Sequence, residues 1–306
     1  MTSERGVLPQ QSIGDFMTFK TIVAAVGYAD EAEKVVRQAK YIADKHRAKL
    51  ILIHAVETVH IIAGPEAYGY VEMVPDADEA KAAAVKNILQ IIQRAGIASQ
   101  DIKLVINVGI TKNEILDCAK EENADLIIVG SHEKSFAGLL LGSTANAVLH
   151  KSASDVLVTK LGIDDDVHTA RQYKQILLAI DFMPEVEKVI EKAKELAIQH
   201  DARLSLVHVI NRAPAFEMPL SLFEKEIIEK IEWQFKELVT TYELDSVHCE
   251  LLLGSPAREI TDYAAKNNVD LVVMGSHGRH GIGILFGSTA NSVFHRSACD
   301  VLAIRL

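Results

Sequence analysis

A long internal repeat constrains this chain more than any other feature. The segment Gly142-Ser-Thr-Ala-Asn-Ala-Val-Leu-His-Lys-Ser-Ala-Ser-Asp-Val-Leu-Val-Thr-Lys160 is answered by Gly287-Ser-Thr-Ala-Asn-Ser-Val-Phe-His-Arg-Ser-Ala-Cys-Asp-Val-Leu-Ala-Ile-Arg305. Upstream, Ala124-Asp-Leu-Ile-Ile-Val-Gly-Ser-His132 is answered by Val269-Asp-Leu-Val-Val-Met-Gly-Ser-His277, and Leu50-Ile-Leu-Ile-His54 by Leu204-Ser-Leu-Val-His208. The order is kept, so a whole domain is duplicated, and each copy is large enough to own a core. A chain of 306 residues with 49% apolar residues suits two ordinary domains. Residues 1–17 read as a polar N-terminal extension, 18–161 as the first domain, 162–171 as a short polar linker, and 172–306 as the second domain.

Within each copy, short β-branched apolar runs alternate with helical patterns. Lys20 to Val26 reads as a strand; Ala32, Val35, Val36, Ala39, Ile42 and Ala43 then recur at helical spacing before Lys49 to Ala55 turns strand-like again. Helices are expected over 76–95 and 111–122, with Thr111 and Glu114 spaced as a capping box. The copy closes with a strand at Leu126, a loop, the helix Ser143 to His150 and the strand Val156 to Thr159. The second copy follows the same order, ending in the helix Ser288 to His295 and the strand Val301 to Ile304. Runs such as Leu271-Val-Val-Met274 are apolar on both faces, as a parallel sheet covered by helices on both sides requires. The expected fold is therefore α/β: two tandem five-stranded parallel sheets of Rossmann-like type. Ligands in such folds sit outside the carboxyl ends of the strands, near the topological switch.

Net charge is −10, with acidic and basic residues interspersed along the helices. That pattern argues against nucleic acid as a partner. No apolar run reaches the roughly 20 residues of a membrane span, and Met1 to Asp15 lacks a signal peptide's apolar centre, so the expectation is a cytoplasmic protein without membrane insertion. Cys118, Cys249 and Cys299 show no metal-ligand spacing and read as small packed residues.

Chemistry is concentrated in the second copy. The strand ending at Met274 runs into Gly275-Ser-His-Gly278-Arg-His-Gly281-Ile-Gly283-Ile-Leu-Phe-Gly287-Ser288-Thr289, and a helix follows directly. A glycine-rich loop feeding a helix N-terminus makes an anion site, because unpartnered N–H groups point outward and the macrodipole favours negative charge. Ser288 and Thr289 add hydroxyl donors, or serve as a plain N-cap. No GxxxxGK[ST] occurs, and Gly281-x-Gly283 is not a dinucleotide fingerprint.

The spacing G-x-x-G, a longer stretch, then G-[ST], after a strand ending in Met-Gly and before the final helix and strand, resembles the universal stress protein family. The resemblance spans both copies. It implies a fold of adenine nucleotide alpha hydrolase-like type and, where the loop G-x-x-G-x9-G-[ST] is present, ATP binding. Here eight residues, not nine, separate Gly278 from Gly287. By position, the resemblance implies that Asp181 meets the adenosine end, Val209 the base, and Met274 and Gly275 the ribose. Gly278, Gly287, Ser288 and Thr289 would hold the phosphates, with Mg²⁺ carried through them. Asp181 also has a physical case, since an acidic side chain at the carboxyl end of a parallel strand can accept from a ribose hydroxyl; an N-cap of the next helix is the alternative. In the first copy Gly27 replaces the aspartate and Glu133 the second loop glycine. That site is expected to be empty or to bind something else, although Gly130, Gly142, Ser143 and Thr144 leave a residual anion site open.

Other polar residues read as structural. His54 and His208 close the second strand of each copy, and His150 and His295 sit at helix C-termini. His132, His277 and His280 do not make a metal set. No catalytic constellation is nominated. The resemblance implies a nucleotide-responsive regulator in stress response, with the two domains paired through their last strands and further homodimerisation open. The alternatives are a slow ATPase in the same pocket and an interaction module with vestigial sites.

Overall fold

The computed structural model describes residues 19–28, 32–57, 76–131, 142–160, 169–211, 222–276 and 287–306. In the first half, β1 (Thr21–Ala25), β2 (Lys49–Val56), β3 (Lys103–Val108), β4 (Leu126–Ser131) and β5 (Asp155–Lys160) alternate with α1 (Ala32–His46), α2 (Ala77–Arg94), α3 (Thr111–Glu121) and α4 (Ser143–Lys151). The second half repeats them as β6 (Gln175–Ile180), α5 (Val186–His200), β7 (Arg203–Asn211), α6 (Leu222–Thr241), β8 (His248–Gly254), α7 (Pro256–Lys266), β9 (Leu271–Gly275), α8 (Ser288–Arg296) and β10 (Asp300–Ile304).

The strands form one ten-stranded sheet in the order β3-β2-β1-β4-β5-β10-β9-β6-β7-β8. Each half supplies five parallel strands, and the halves meet where β5 and β10 pair antiparallel, with Leu302 opposite Leu157. This is the expected pairing of last strands. It puts the most buried strands at the centre: every residue of β5 and β10 is buried, whereas the outer strands β3 and β8 are only partly covered.

Side-chain alternation along the strands feeds two core layers. Ile22, Leu52, Leu178, Leu206 and Leu302 pack with α1, α2, α5 and α6 on one face. Val23, Ile53, Val207, Val272 and Val301 pack with α3, α4, α7 and α8 on the other. Both layers run through both halves, so burial at roughly 1.5–3 kcal/mol per large aliphatic side chain stabilises the junction as well as each half.

Polar groups fix the junction. Asp300, fully buried, accepts the Lys160 N–H at 2.9 Å, the Tyr173 hydroxyl at 2.8 Å and the Arg171 guanidinium at 2.9 Å. Its counterpart Asp155 accepts the Arg305 N–H at 2.8 Å and pairs with Lys192 at 3.1 Å. Arg171, the last residue of the expected linker, is thus part of the seam. Gln38 clasps its backbone, accepting the Arg171 N–H at 2.7 Å and donating to its carbonyl at 3.1 Å.

Helix ends depart from the sequence expectation in two places. Thr111 is the first residue of α3 and its cap, Ile110, has no side-chain bond, so the capping box is not formed. The Thr111 N–H donates instead to Glu57, 3.0 Å away, and Glu114 accepts from Asn107 at 3.0 Å. Glu114 is drawn there because Gly109 leaves room: a Cβ on Gly109 would lie 2.2 Å from its carboxylate oxygen. In α8 the N-cap is Gly287, again without a side-chain bond, so Ser288 and Thr289 are not caps.

Candidate functional site

In the second half, β6 lies between β7 and β9, although β9 follows β7 and β8 in sequence. The chain therefore leaves β6 in one direction and returns on its other side, which opens a crevice at the carboxyl ends. Ile180 pairs with His208, and Ala179 with Met274, so the residues after these positions share one edge.

Asp181 is the first residue beyond β6. Its carboxylate accepts the Phe182 N–H at 2.8 Å, and its carbonyl accepts the Met183 N–H at 2.9 Å. The N-cap of α5 is Glu185, so Asp181 does not cap that helix. Val209 and Met274 are buried in the same core layer, on the side of α7 and α8. Gly275 ends β9 opposite Ile304. The buried Ser276 then donates its N–H to Ile304 at 2.9 Å and accepts the Gly287 N–H at 2.9 Å. That last bond brings the start of α8 back to the end of β9. The first-turn N–H groups at Ser288, Thr289 and Ala290 have no partner four residues earlier within their helix, and the N-cap glycine has no side chain to offer them. Asp181, Val209, Met274, Gly275, Gly287, Ser288 and Thr289 are thus gathered at one edge. Gly278, like Glu133, Arg279 and the histidines 132, 277 and 280, lies outside the described residues.

The first half builds the same edge around a cavity of about 350 Å³. Val26 and Gly27 line it after β1, His54 and Ala55 at the end of β2, and Gly130 at the end of β4. The N-terminus of α4 (Ser143, Thr144) and the wall formed by Thr111 and Ile115 of α3 complete it. The contribution of α3 was not foreseen, because helix α3 follows the edge strand β3 and only the folded crossover swings it over the crevice. No carboxylate lines the cavity among the described residues, since Gly27 stands where Asp181 stands in the second half.

His54 Nδ1 donates to the Val26 carbonyl at 2.7 Å and His208 Nδ1 to Ile180 at 2.9 Å, tying β2 to β1 and β7 to β6. The rings of Tyr28 and Phe182 pack against them, tilted by 48° and 50° with centroids 4.2 and 4.4 Å away, an equivalence that aligning the repeat would have revealed. His295 lies in the last turn of α8, where burial and the Lys160 ammonium lower its pKa. Burial lifts the thiols of Cys118, Cys249 and Cys299 to about 11, which makes them poor nucleophiles. Among the described residues no group of three His, Cys, Asp or Glu could hold a metal, and no helix is long and apolar enough to cross a membrane.

A duplicated doubly wound sheet with glycine-bearing strand-to-helix turns at the switch of each half defines a tandem α/β protein. The universal stress protein family model matches residues 18–160 and again 172–305, and the chain belongs to that family. Universal stress protein A homolog 1 of Coxiella burnetii is 38% identical over 138 residues, which is 43% of this chain and 96% of that relative. A universal stress protein of Mycolicibacterium smegmatis is 27% identical over 301 residues, 93% of this chain and 96% of its own length, so the tandem arrangement is shared. A solved universal stress protein from Archaeoglobus fulgidus matches with a TM-score of 0.60 at 21% identity, over 94% of this chain and 96% of the other. A Pseudomonas aeruginosa chain ascribed to the same family reaches 0.67 at 18% identity over 95% of both.

Proposed function

We propose that this protein binds an adenine nucleotide, ATP foremost, in its C-terminal half and acts in the cytoplasm as a nucleotide-responsive regulator of the stress response. The observation that carries this reading is the convergence of Asp181, Gly275 and the uncapped N-terminus of α8 at one switch point. Asp181 would accept from the ribose or the base amine, and Val209 and Met274 would pack against the adenosine. The N–H groups and hydroxyls of Ser288 and Thr289 would face the phosphates, where a helix N-terminus carries about half a positive charge. Any Mg²⁺ would arrive with the phosphates. The cavity in the first half favours a second reading, in which that half also takes a ligand, one that does not need an acidic partner.

The test is to denature the purified full chain and identify any released nucleotide. One ATP per chain, lost in Gly278→Glu, supports a single C-terminal site. Two per chain support the second reading and remove Glu133 as an obstacle, which Glu133→Gly would otherwise relieve. No nucleotide, with none bound on titration, overturns the proposal.

A further inference from the structure

At the seam, the last residues of α1 and α5 face each other: His46 Nε2 and His200 Nε2 are 3.3 Å apart, and both rings are buried. Phe19 and Tyr173 pack on them at 4.9 and 5.1 Å, and Tyr41 lies 5.6 Å from the His200 ring.

The rings meet through one hydrogen bond. Tyr41 sets its hydroxyl 3.2 Å from His200 Nδ1, and a hydroxyl can donate to that nitrogen or accept from it. The proton between the facing nitrogens therefore belongs to His200 Nε2 or to His46 Nε2, and His46 Nδ1 is buried without a partner. One N–H···N bond uses the facing nitrogens completely. With both imidazoles charged, two N–H groups would meet head on, so the contact cannot hold. A single added charge would be buried beside ammoniums.

Among the described residues, no carboxylate acts on the pair. The groups acting on the pair are the ammoniums of Lys45 on α1, Lys192 on α5 and Lys174 ahead of β6. Of the carboxylates on this side, Asp155 is committed to Lys192, Asp300 to Arg171 and Tyr173, and Asp270 to the N–H groups of Lys174 and Gln175.

We propose that the His46–His200 pair is an acid-sensitive latch between the two halves, closed while both imidazoles are neutral and opened along the α1–α5 seam by proton uptake. Burial, with the neighbouring charges, depresses His46 to about 3 and His200 to about 4. Both lie below the value of about 6.5 that an exposed imidazole has. The sign follows. Above pH 6.5 closed and open forms bind the same protons, so closure is at full strength. Below it the open form takes up protons that the closed form refuses. Closure then weakens about tenfold per pH unit for each histidine, or about a hundredfold for the pair, until pH 4.

The test uses the full chain. Histidine NMR resonances of the unaltered protein are followed from pH 8 to 4.5, together with amide hydrogen exchange in the last turns of α1 and α5, corrected for the intrinsic pH effect. The proposal expects both imidazoles to stay neutral in the closed protein through pH 6.5. It expects protection to fall about a hundredfold per unit below that, about tenfold in His46→Gln or His200→Gln, and not at all in the double variant. Two imidazoles titrating near 6.5 with unchanged protection would overturn it, and that measurement needs no variant to fold. A double variant that loses protection as steeply as the unaltered chain would overturn it as well.

Discussion

The two halves share a fold and differ where they touch. At the seam Asp155 is met by Lys192, which also lies 4.5 Å above the Phe19 ring, whereas Asp300 is met by Arg171 and the Tyr173 hydroxyl. At the crevice Gly27 stands opposite Asp181. Two identical subunits could not differ in this way, because an isologous interface places the same residue on both sides. Fusion into one chain lets the second half be the more deeply sealed at the seam and also keep an acidic side chain at its crevice.

The two halves should differ most at the aspartates. Asp300→Ala should cost about 3–5 kcal/mol, because it leaves Arg171 and the Lys160 N–H without their buried partner. Asp155→Ala should cost less, about 1–2 kcal/mol, since Lys192 can turn toward water. Urea unfolding of both variants checks the order, and equal losses would mean that the two sides are equivalent after all.

Exchanging the crevice residues is the next test. Asp181→Gly should weaken nucleotide binding in the second half about tenfold, one charge-assisted hydrogen bond at about 1.4 kcal/mol. Gly27→Asp should strengthen binding in the first half by a similar factor. Calorimetric titration of each variant reads this directly, and a Gly27→Asp chain with unaltered first-half binding would show that the carboxylate does not distinguish the sites.

The smallest effect lies at the helix ends. Arg47 and Asp201 follow α1 and α5 with φ of 51° and 52°, a conformation that suits glycine. Arg47→Gly should stabilise by about 1 kcal/mol, and Asp201→Gly by roughly half that, since aspartate tolerates the left-handed region better. Thermal unfolding should show both gains, with the larger at Arg47.

Much of this was legible in the sequence. The repeat and the doubly apolar strands depend on local pattern, and the fold follows from them; the glycines on either side of the turn from Met274 to Ser288 mark one edge of the candidate crevice. The side-chain contacts of the seam were not legible, because they pair Gln38 with Arg171 and His46 with His200 across more than a hundred residues. Asp155 and Asp300 stood in plain view within the repeated segments, but nothing in their neighbours names their partners. The helix caps failed for a related reason: Thr111 and Glu114 have the right spacing, yet Glu57 and Asn107, brought in by the fold, take their hydrogen bonds.

The antiparallel contact of β5 with β10 is made within one chain, so its closing is a first-order event that dilution cannot reverse. A short tether holds its ends at an effective concentration in the millimolar range. A seam too weak to hold two separate subunits together at cellular concentrations would still be shut here, and could be set close to its balance point without the protein ever falling apart.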